Sequence, residues 1–212
     1  LNNARFPAAV QAATAGIMWA TGNIVRSCLA KMYAASEQYR EEAQASWASG
    51  NHTFKIVGAH KDNPNKPVIS LYHLAQGGGA RGWGDGLDAA GAPGSPGISI
   101  SNVETDEKDG MALVLYRRQH PDTAGRGLFR GGVGMESALI PYDCAGPLQT
   151  NVYAQGFNHP ESRGLYGGYP GSVQVAAILR GARLSELFQR SYLPSSWEEI
   201  PHDSIKLREA KE

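Results

Sequence analysis

An α+β fold, with mixed strands and helices joined by long glycine-rich loops, is what this sequence predicts, and three observations carry that expectation. The first 47 residues are rich in Ala, Gln and Glu, with Ile17, Ile24, Cys28 and Met32 recurring near helical spacing. Three later runs, Thr53–Val57, Val68–Leu74 and Met111–Arg118, are β-branched, aromatic or aliphatic. Glycine supplies 26 of 212 residues, above the usual share of about 7%, and it is concentrated between the runs.

Taken in order, Phe6 to Trp47 reads as two helices interrupted by Thr21-Gly22-Asn23, with Ser49-Gly50-Asn51 as the stop. Thr53–Val57 and Val68–Leu74 read as a strand pair around the turn-forming cluster Lys61-Asp62-Asn63-Pro64-Asn65. From Gly77 to Gly97, nine of 21 residues are glycine, with Pro93 and Pro96 among them, so this stretch is an irregular loop. Met111–Arg118 is the clearest strand, apolar for most of its length with a charged exit at two arginines. A second glycine loop, Gly125 to Gly134, leads into a strand over Val133–Ile140. Val173–Arg180 fits a strand or a short helix, Leu184–Tyr192 a helix, and Pro194 to Glu199 carries a helix-start signature. Ile205–Glu212 fits a charged helix or a solvated tail. No repeat or change of composition divides the chain, so residues 1–212 read as a single unit: a helical start (6–47), a β and glycine-loop core (53–180) and a helical end (184–212).

Charge and cysteine content exclude several function classes. Lys plus Arg and Asp plus Glu each number 20, so no long-range field favours nucleic acid or an anionic membrane. The apolar stretch Ala8–Ala20 is broken by Gln11, Thr14 and Gly16 and is too short to cross a bilayer. Cys28 and Cys144 are far apart and form no CxxC, which argues against a disulfide framework or zinc ribbon and for a cytoplasmic location.

The residues that could carry chemistry each have a plain structural reading beside the functional one. Gly77, Gly79 and Gly82 satisfy GxGxxG, but Trp83-Gly84-Asp85-Gly86 follows where a dinucleotide site needs a helix N-terminus, so backbone shape accounts for them better. Gly125-Arg126-Gly127-Leu128-Phe129-Arg130-Gly131-Gly132 places two arginines among glycines, as an anion nest would, yet lacks the Lys-Ser/Thr of a P-loop. Arg130 is expected instead to anchor its loop by pairing with a carboxylate, Glu104 first and Asp122 second, because its planar fork suits bidentate pairing. The six histidines have no HxH, HxxxH or HExxH spacing, so no metal site is expected in this chain. His73, beside the first glycine loop, and Asp85 and Asp88 within it are weak catalytic candidates, with a core histidine and turn-capping aspartates as the bland alternatives.

The order of these segments resembles a known family. Gly77-Gly78-Gly79-Ala80-Arg81, Asp85-Gly86-Leu87-Asp88, Asn102-Val103-Glu104, Leu115-Tyr116-Arg117-Arg118 and the run Ala124 to Gly132 resemble the C-terminal half of hydantoinase B/oxoprolinase subunits, whose pattern runs GGxGAR, DGxD, NVE and SGGAGxxRGG. The chain departs from it at Asp122-Thr123-Ala124, where the family has Ser-Gly-Gly. The resemblance implies one part of a larger subunit, acting with a hydantoinase A-like subunit that binds ATP and Mg, and with the rest of its own subunit. It also implies that any divalent metal is held in the family's N-terminal half.

What the family does divides in two. Hydantoinases and oxoprolinases open a cyclic amide at the expense of ATP, whereas acetone and acetophenone carboxylases join an activated ketone to bicarbonate-derived carbon dioxide. The compact Asn102-Val103-Glu104 and the LYRR strand look closer to the ketone carboxylase branch. A purely structural subunit of such a complex is the third expectation, and in each case the chain is expected to be inactive alone.

Overall fold

A computed structural model of the protein describes residues 15–47, 53–92, 95–96, 102–109, 111–153 and 156–207. The elements run α1 (Ala15–Ala35), β1 (Thr53–His60), β2 (Asn63–His73), β3 (Gly91–Ala92), β4 (Ser95–Pro96), α2 (Val103–Asp109), β5 (Ala112–Gln119), β6 (Met135–Pro141), β7 (Gln149–Tyr153), β8 (Ala177–Arg180), α3 (Leu184–Phe188) and β9 (Ser204–Leu207). All sheet pairings among them are antiparallel: a three-stranded sheet in the order β2-β1-β7, and the pairs β3-β4, β5-β6 and β8-β9. The mixed α+β class is therefore what forms.

The β1–β2 hairpin forms from the two runs read as strands, but Asn63, Pro64 and Asn65, read as part of the turn, belong to the return strand. Lys61 and Asp62 make the turn, Asn63 opens the return strand, and Phe54 faces Tyr72 while Ile56 faces Ser70. Side chains alternate across the sheet, so Phe54, Ile56 and Tyr72 point to one side, where they join Met111 and Ala112 at the start of β5 in the core. Leu139, Cys144 and Leu148 close that cluster. Burial of an aliphatic side chain such as Ile56 stabilises by about 1.5–3 kcal/mol. Ile69 and Leu71, on the other side of β2, remain 59% and 51% exposed.

Three expectations are corrected. Thr21-Gly22-Asn23 does not divide the first segment: α1 runs through it, since one internal glycine costs only about 1 kcal/mol relative to alanine. The buried Asn23 docks there through Nδ2 to Glu161 Oε2 (3.4 Å). The second helix reduces to a single 3-10 turn at Arg40–Glu42, followed by extended chain to Trp47; Phe6 to Thr14 and Ser49-Gly50-Asn51 lie outside the described residues. The helical end is also smaller: α3 closes at Phe188, a 3-10 turn occupies Trp197–Glu199, and Ser204–Leu207 is the strand β9. Pairing with β8 accounts for that strand, with Asp203 N–H donating to Arg180 O (2.9 Å) and the Arg183 guanidinium reaching Asp203 Oδ1 (2.6 Å).

Helix α2 was not foreseen. Asn102 starts it, its Oδ1 accepting from Glu104 N–H (2.9 Å) and its carbonyl from Asp106 N–H (3.0 Å), with acidic residues filling the first turn.

α1 buries its polar and small side chains. Asn23, Ser27 and Ala30 form the docked stripe, with Ser27 Oγ 3.0 Å from the Oγ of buried Ser46, while Ile24, Val25, Leu29 and Met32 are exposed. A helix that hides polar and small residues and shows its aliphatic ones presents a face for more protein.

Candidate functional site

The two glycine segments lie against each other backbone to backbone. Gly78 N–H donates to Leu87 O (2.7 Å), Gly132 N–H to Gly78 O (2.8 Å), Gly86 N–H to Arg130 O (2.8 Å) and Ala89 N–H to Val133 O (2.9 Å). This packing leaves no room for side chains at the crossing: a Cβ on Gly77 would stand 1.8 Å from Gly132 O, and one on Gly132 1.9 Å from Leu87 O. Gly79 is pressed in the same way against Ala45 O, whose N–H donates to Ala80 O (2.8 Å). Gly131 differs, since its nearest neighbours would be an ordinary 3.5 Å away. Gly82 leads into the turn Arg81–Gly84 and not into a helix, so the GxGxxG spacing meets no helix N-terminus for a pyrophosphate.

Asp85, Asp88 and Arg130 fasten the knot. Arg130 Nη1 donates to Asp88 Oδ1 (2.8 Å) and to Gly131 O (2.8 Å), and its Nε lies 3.5 Å from Asp85 Oδ2. Asp85 Oδ1 accepts Arg130 N–H and Asp88 Oδ1 accepts Val133 N–H, each at 2.9 Å. The anchoring partners of Arg130 are thus Asp88 and Asp85. The Glu104 pairing expected from sequence is corrected, because Glu104 sits exposed in the first turn of α2. His73 ends β2 opposite Thr53.

The knot positions a second group of residues that the sequence reading passed over. His120 precedes the second glycine segment and Glu136 follows it. Thr123 Oγ1 donates to His120 O (2.9 Å) and accepts from Gly134 N–H (3.0 Å), while His120 N–H donates to Gly134 O (2.9 Å). The departure Asp122-Thr123-Ala124 is therefore structural: Asp122 takes the left-handed turn (φ 58), which aspartate tolerates, and Thr123 laces the loop base.

Glu136 sits at the centre of this group. Its Oε1 accepts from Tyr116 Oη (2.5 Å), and its Oε2 meets both Arg118 Nη2 (3.2 Å) and His120 Nδ1. Arg118 faces Glu136 across the β5–β6 pair, and Tyr116 shares that face at strand period two. The missed signal was this spacing: Tyr116, Arg118 and His120 alternate along one strand end, with an acid just after the following loop.

Burial raises the Glu136 carboxyl, but hydrogen bonds from Tyr116, His120 and Arg118 outweigh it and hold it below the ordinary glutamate value. Burial, then the bond to Glu136, pushes the Tyr116 hydroxyl well above the usual phenol range. Asp88 is lowered by Arg130 first and by the Val133 N–H second. Both acids thus stabilise the fold while ionised, fully above their unfolded pKa of about 4 and progressively less as pH falls through the depressed folded values. Unfolding by urea across a pH series is expected to show stability falling below about pH 4. Glu136→Gln should flatten that slope, and an unchanged slope would reject Glu136 as a contributor.

Gly77, Gly132, Tyr116, His120 and Glu136 are among the residues that line a concavity of about 1900 Å³. Small-molecule pockets run to about 300–1,000 Å³, so this hollow is wider than a small substrate needs. Among the described residues, no group of three or more His, Cys, Asp or Glu is placed to hold a metal ion. No helix among them is long and apolar enough to cross a membrane.

The chain is 26% identical over 173 residues to the acetophenone carboxylase delta subunit of Aromatoleum aromaticum, a match covering 81% of this chain and 24% of that subunit. It is 28% identical over 164 residues to the acetone carboxylase alpha subunit of Xanthobacter autotrophicus, covering 77% of this chain and 20% of that subunit. A nucleotide-free acetone carboxylase structure shares the fold with TM-score 0.67 at 21% identity, over 83% of this chain and 25% of that one. The chain thus spans a quarter or less of the length of the relatives it matches. The hydantoinase B/oxoprolinase pattern matches residues 1–208, and the chain belongs to the hydantoinase B/oxoprolinase family.

Proposed function

We propose that this chain is a component of a cytoplasmic, hetero-oligomeric, ATP-dependent ketone carboxylase, working on a small ketone. Its similarity to two ketone carboxylase subunits, over 81% and 77% of its length, carries the reading. In this reading the chain is the C-terminal part of a hydantoinase B-like subunit and supplies one wall of the substrate cleft. The rest of that subunit supplies the other wall and any divalent metal. A hydantoinase A-like subunit binds ATP with Mg, since neither glycine segment here has the strand–loop–helix form that cradles phosphate.

Co-expression of the complete complex is the test. Hydrolysis of ATP that requires both ketone and bicarbonate, with labelled carbon entering the ketone, supports the reading. The family also includes cyclic-amide hydrolases, and ring opening driven by ATP without bicarbonate would favour that second activity. Full turnover after disruption of both glycine segments would leave the chain a structural role.

The apolar side of α1, the outer side of β2 and the wide hollow support the need for partners. The polypeptide expressed alone is expected to be inactive and to self-associate, and light scattering should show species larger than a monomer. A dispersed monomer with full turnover would contradict this.

A further inference from the structure

We propose that His120 is the proton-transfer group of the cleft, oriented by Glu136, and that its Nε2 accepts the proton leaving the carbon beside the carbonyl of a small ketone. The inference rests on the ketone carboxylase reading. Its basis is geometric. Glu136 is already bound by Tyr116 and Arg118, so its Oε2 acts as acceptor toward His120 and Nδ1 must carry the ring hydrogen. In the neutral ring the lone pair then lies on Nε2, which has no hydrogen-bond partner among the described residues. The ring is 41% exposed and borders the hollow, while Glu136 behind it is only 17% exposed. A carboxylate that fixes the tautomer and offsets an imidazolium is the arrangement a proton acceptor needs.

The same site also resists slack. His120 and Glu136 bracket the second glycine segment, and the knot, the Arg130 clamp and Thr123 hold its two ends together. A purely structural ion pair between two strands would not need an imidazole facing the hollow, because Arg118 already pairs with Glu136 across the ladder.

The step balances as a proton transfer. The C–H bond breaks, its electron pair forms the carbon–carbon double bond, the carbonyl π pair moves to oxygen, and the proton goes to Nε2. The enolate carbon is then the nucleophile: it bonds to the carbon of carbon dioxide, one C–O π pair of which moves to oxygen to give the carboxylate while the ketone C=O re-forms. Glu136 is a positioning residue: it touches His120 and not the ketone.

The test uses the complete carboxylase complex with acetone or acetophenone in deuterium oxide, reading deuterium incorporation at the carbon beside the carbonyl together with carboxylation. His120→Gln is expected to lower kcat and exchange about 100-fold, with the ketone KM changed less than about threefold. Glu136→Gln should lower kcat about tenfold, also without a change in KM. Imidazole added to the assembled His120→Ala complex should restore part of the lost rate, which a structural defect would not allow. For a variant that fails to assemble, wild-type enzyme supplies the readout: acylation of His120 by diethyl pyrocarbonate should inactivate it and be slowed by ketone. Carboxylation persisting in His120→Gln within about threefold of wild type, no response to imidazole, or a His120 that ketone does not protect would each overturn this inference alone. A wild-type complex that neither exchanges nor carboxylates either ketone would overturn the ketone reading, and this inference with it.

Discussion

Gly132→Ala is expected to destabilise the protein by about 3 kcal/mol or more, at the upper end of what overpacking does, while Gly131→Ala next to it is tolerated. The two glycines share a loop and a residue type, but not an environment. A Cβ on Gly132 would meet Leu87 O at 1.9 Å, Leu87 C at 2.4 Å and Asp88 N at 2.9 Å, all backbone atoms that no rotamer change can clear. Relief requires the segments to separate, which also removes the Gly132 N–H to Gly78 O bond and the neighbouring Gly78 N–H to Leu87 O bond. At Gly131 the nearest atoms would be at 3.5 Å, an ordinary contact. Neither glycine has a positive φ, so backbone conformation does not confuse the comparison. Thermal unfolding of the assembled complex, with co-purification of the partner chains, is the measurement. Equal stability of the two variants would show that the crossing can relax, and the knot would lose its claim to rigidity.

How far the fold could be read from sequence depended on whether local chemistry was left in charge. The β1–β2 hairpin was legible because β-branched and aromatic residues flank a turn-forming cluster, and β5 because an aliphatic run ends in arginines. Thr21-Gly22-Asn23 misled because glycine weakens a helix without ending it, and here tertiary contacts of Asn23 and Ser27 supply what propensity lacks. Ile205–Glu212 misled in the other direction: its charges suggest a charged helix or a solvated tail, whereas Ile205 and Leu207 alternate with Ser204 and Lys206, and Ser204–Leu207 pairs with β8. Helix α2 has a readable start in Asn102 followed by acidic residues, a cap signal carried by the same residues as the NVE motif.

The site divides along the same line. That Arg130 would anchor its loop followed from the cost of ordering glycine and from the shape of the guanidinium. Which carboxylate it meets did not follow, because only the crossing of two loops brings Asp85 and Asp88 to it from more than forty positions away in the chain. His120 and Glu136 were harder still. A lone histidine in a sequence is usually a surface or core residue, and what sets this one apart is a hydrogen bond to Glu136 made possible by a loop that returns the chain to its starting point.

Asp88→Ala is expected to destabilise the protein by about 1–2 kcal/mol, and Asp88→Asn by less than half as much. The Asp88 carboxylate has two duties. Its ion pair with Arg130 is short at 2.8 Å, yet the side chains are 33% and 44% exposed, so solvent screens most of the attraction. Its Oδ1 also accepts the Val133 N–H at 2.9 Å, and Val133 is half-buried beside the buried Gly132. An amide at position 88 keeps a side-chain oxygen for that N–H and loses only the charge, whereas alanine leaves the donor without its partner, which is the costlier loss. Arg130→Lys should be mild for the same reason, since lysine can still reach Asp85 or Asp88 as a point charge. Urea unfolding of the four proteins at neutral pH decides between the duties, with a double-mutant cycle of Asp88→Ala and Arg130→Ala measuring what they share. If Asp88→Asn proves as damaging as Asp88→Ala, and the cycle assigns most of the loss to the pair, then the ion pair and not the loop amide is what fastens the two glycine segments together.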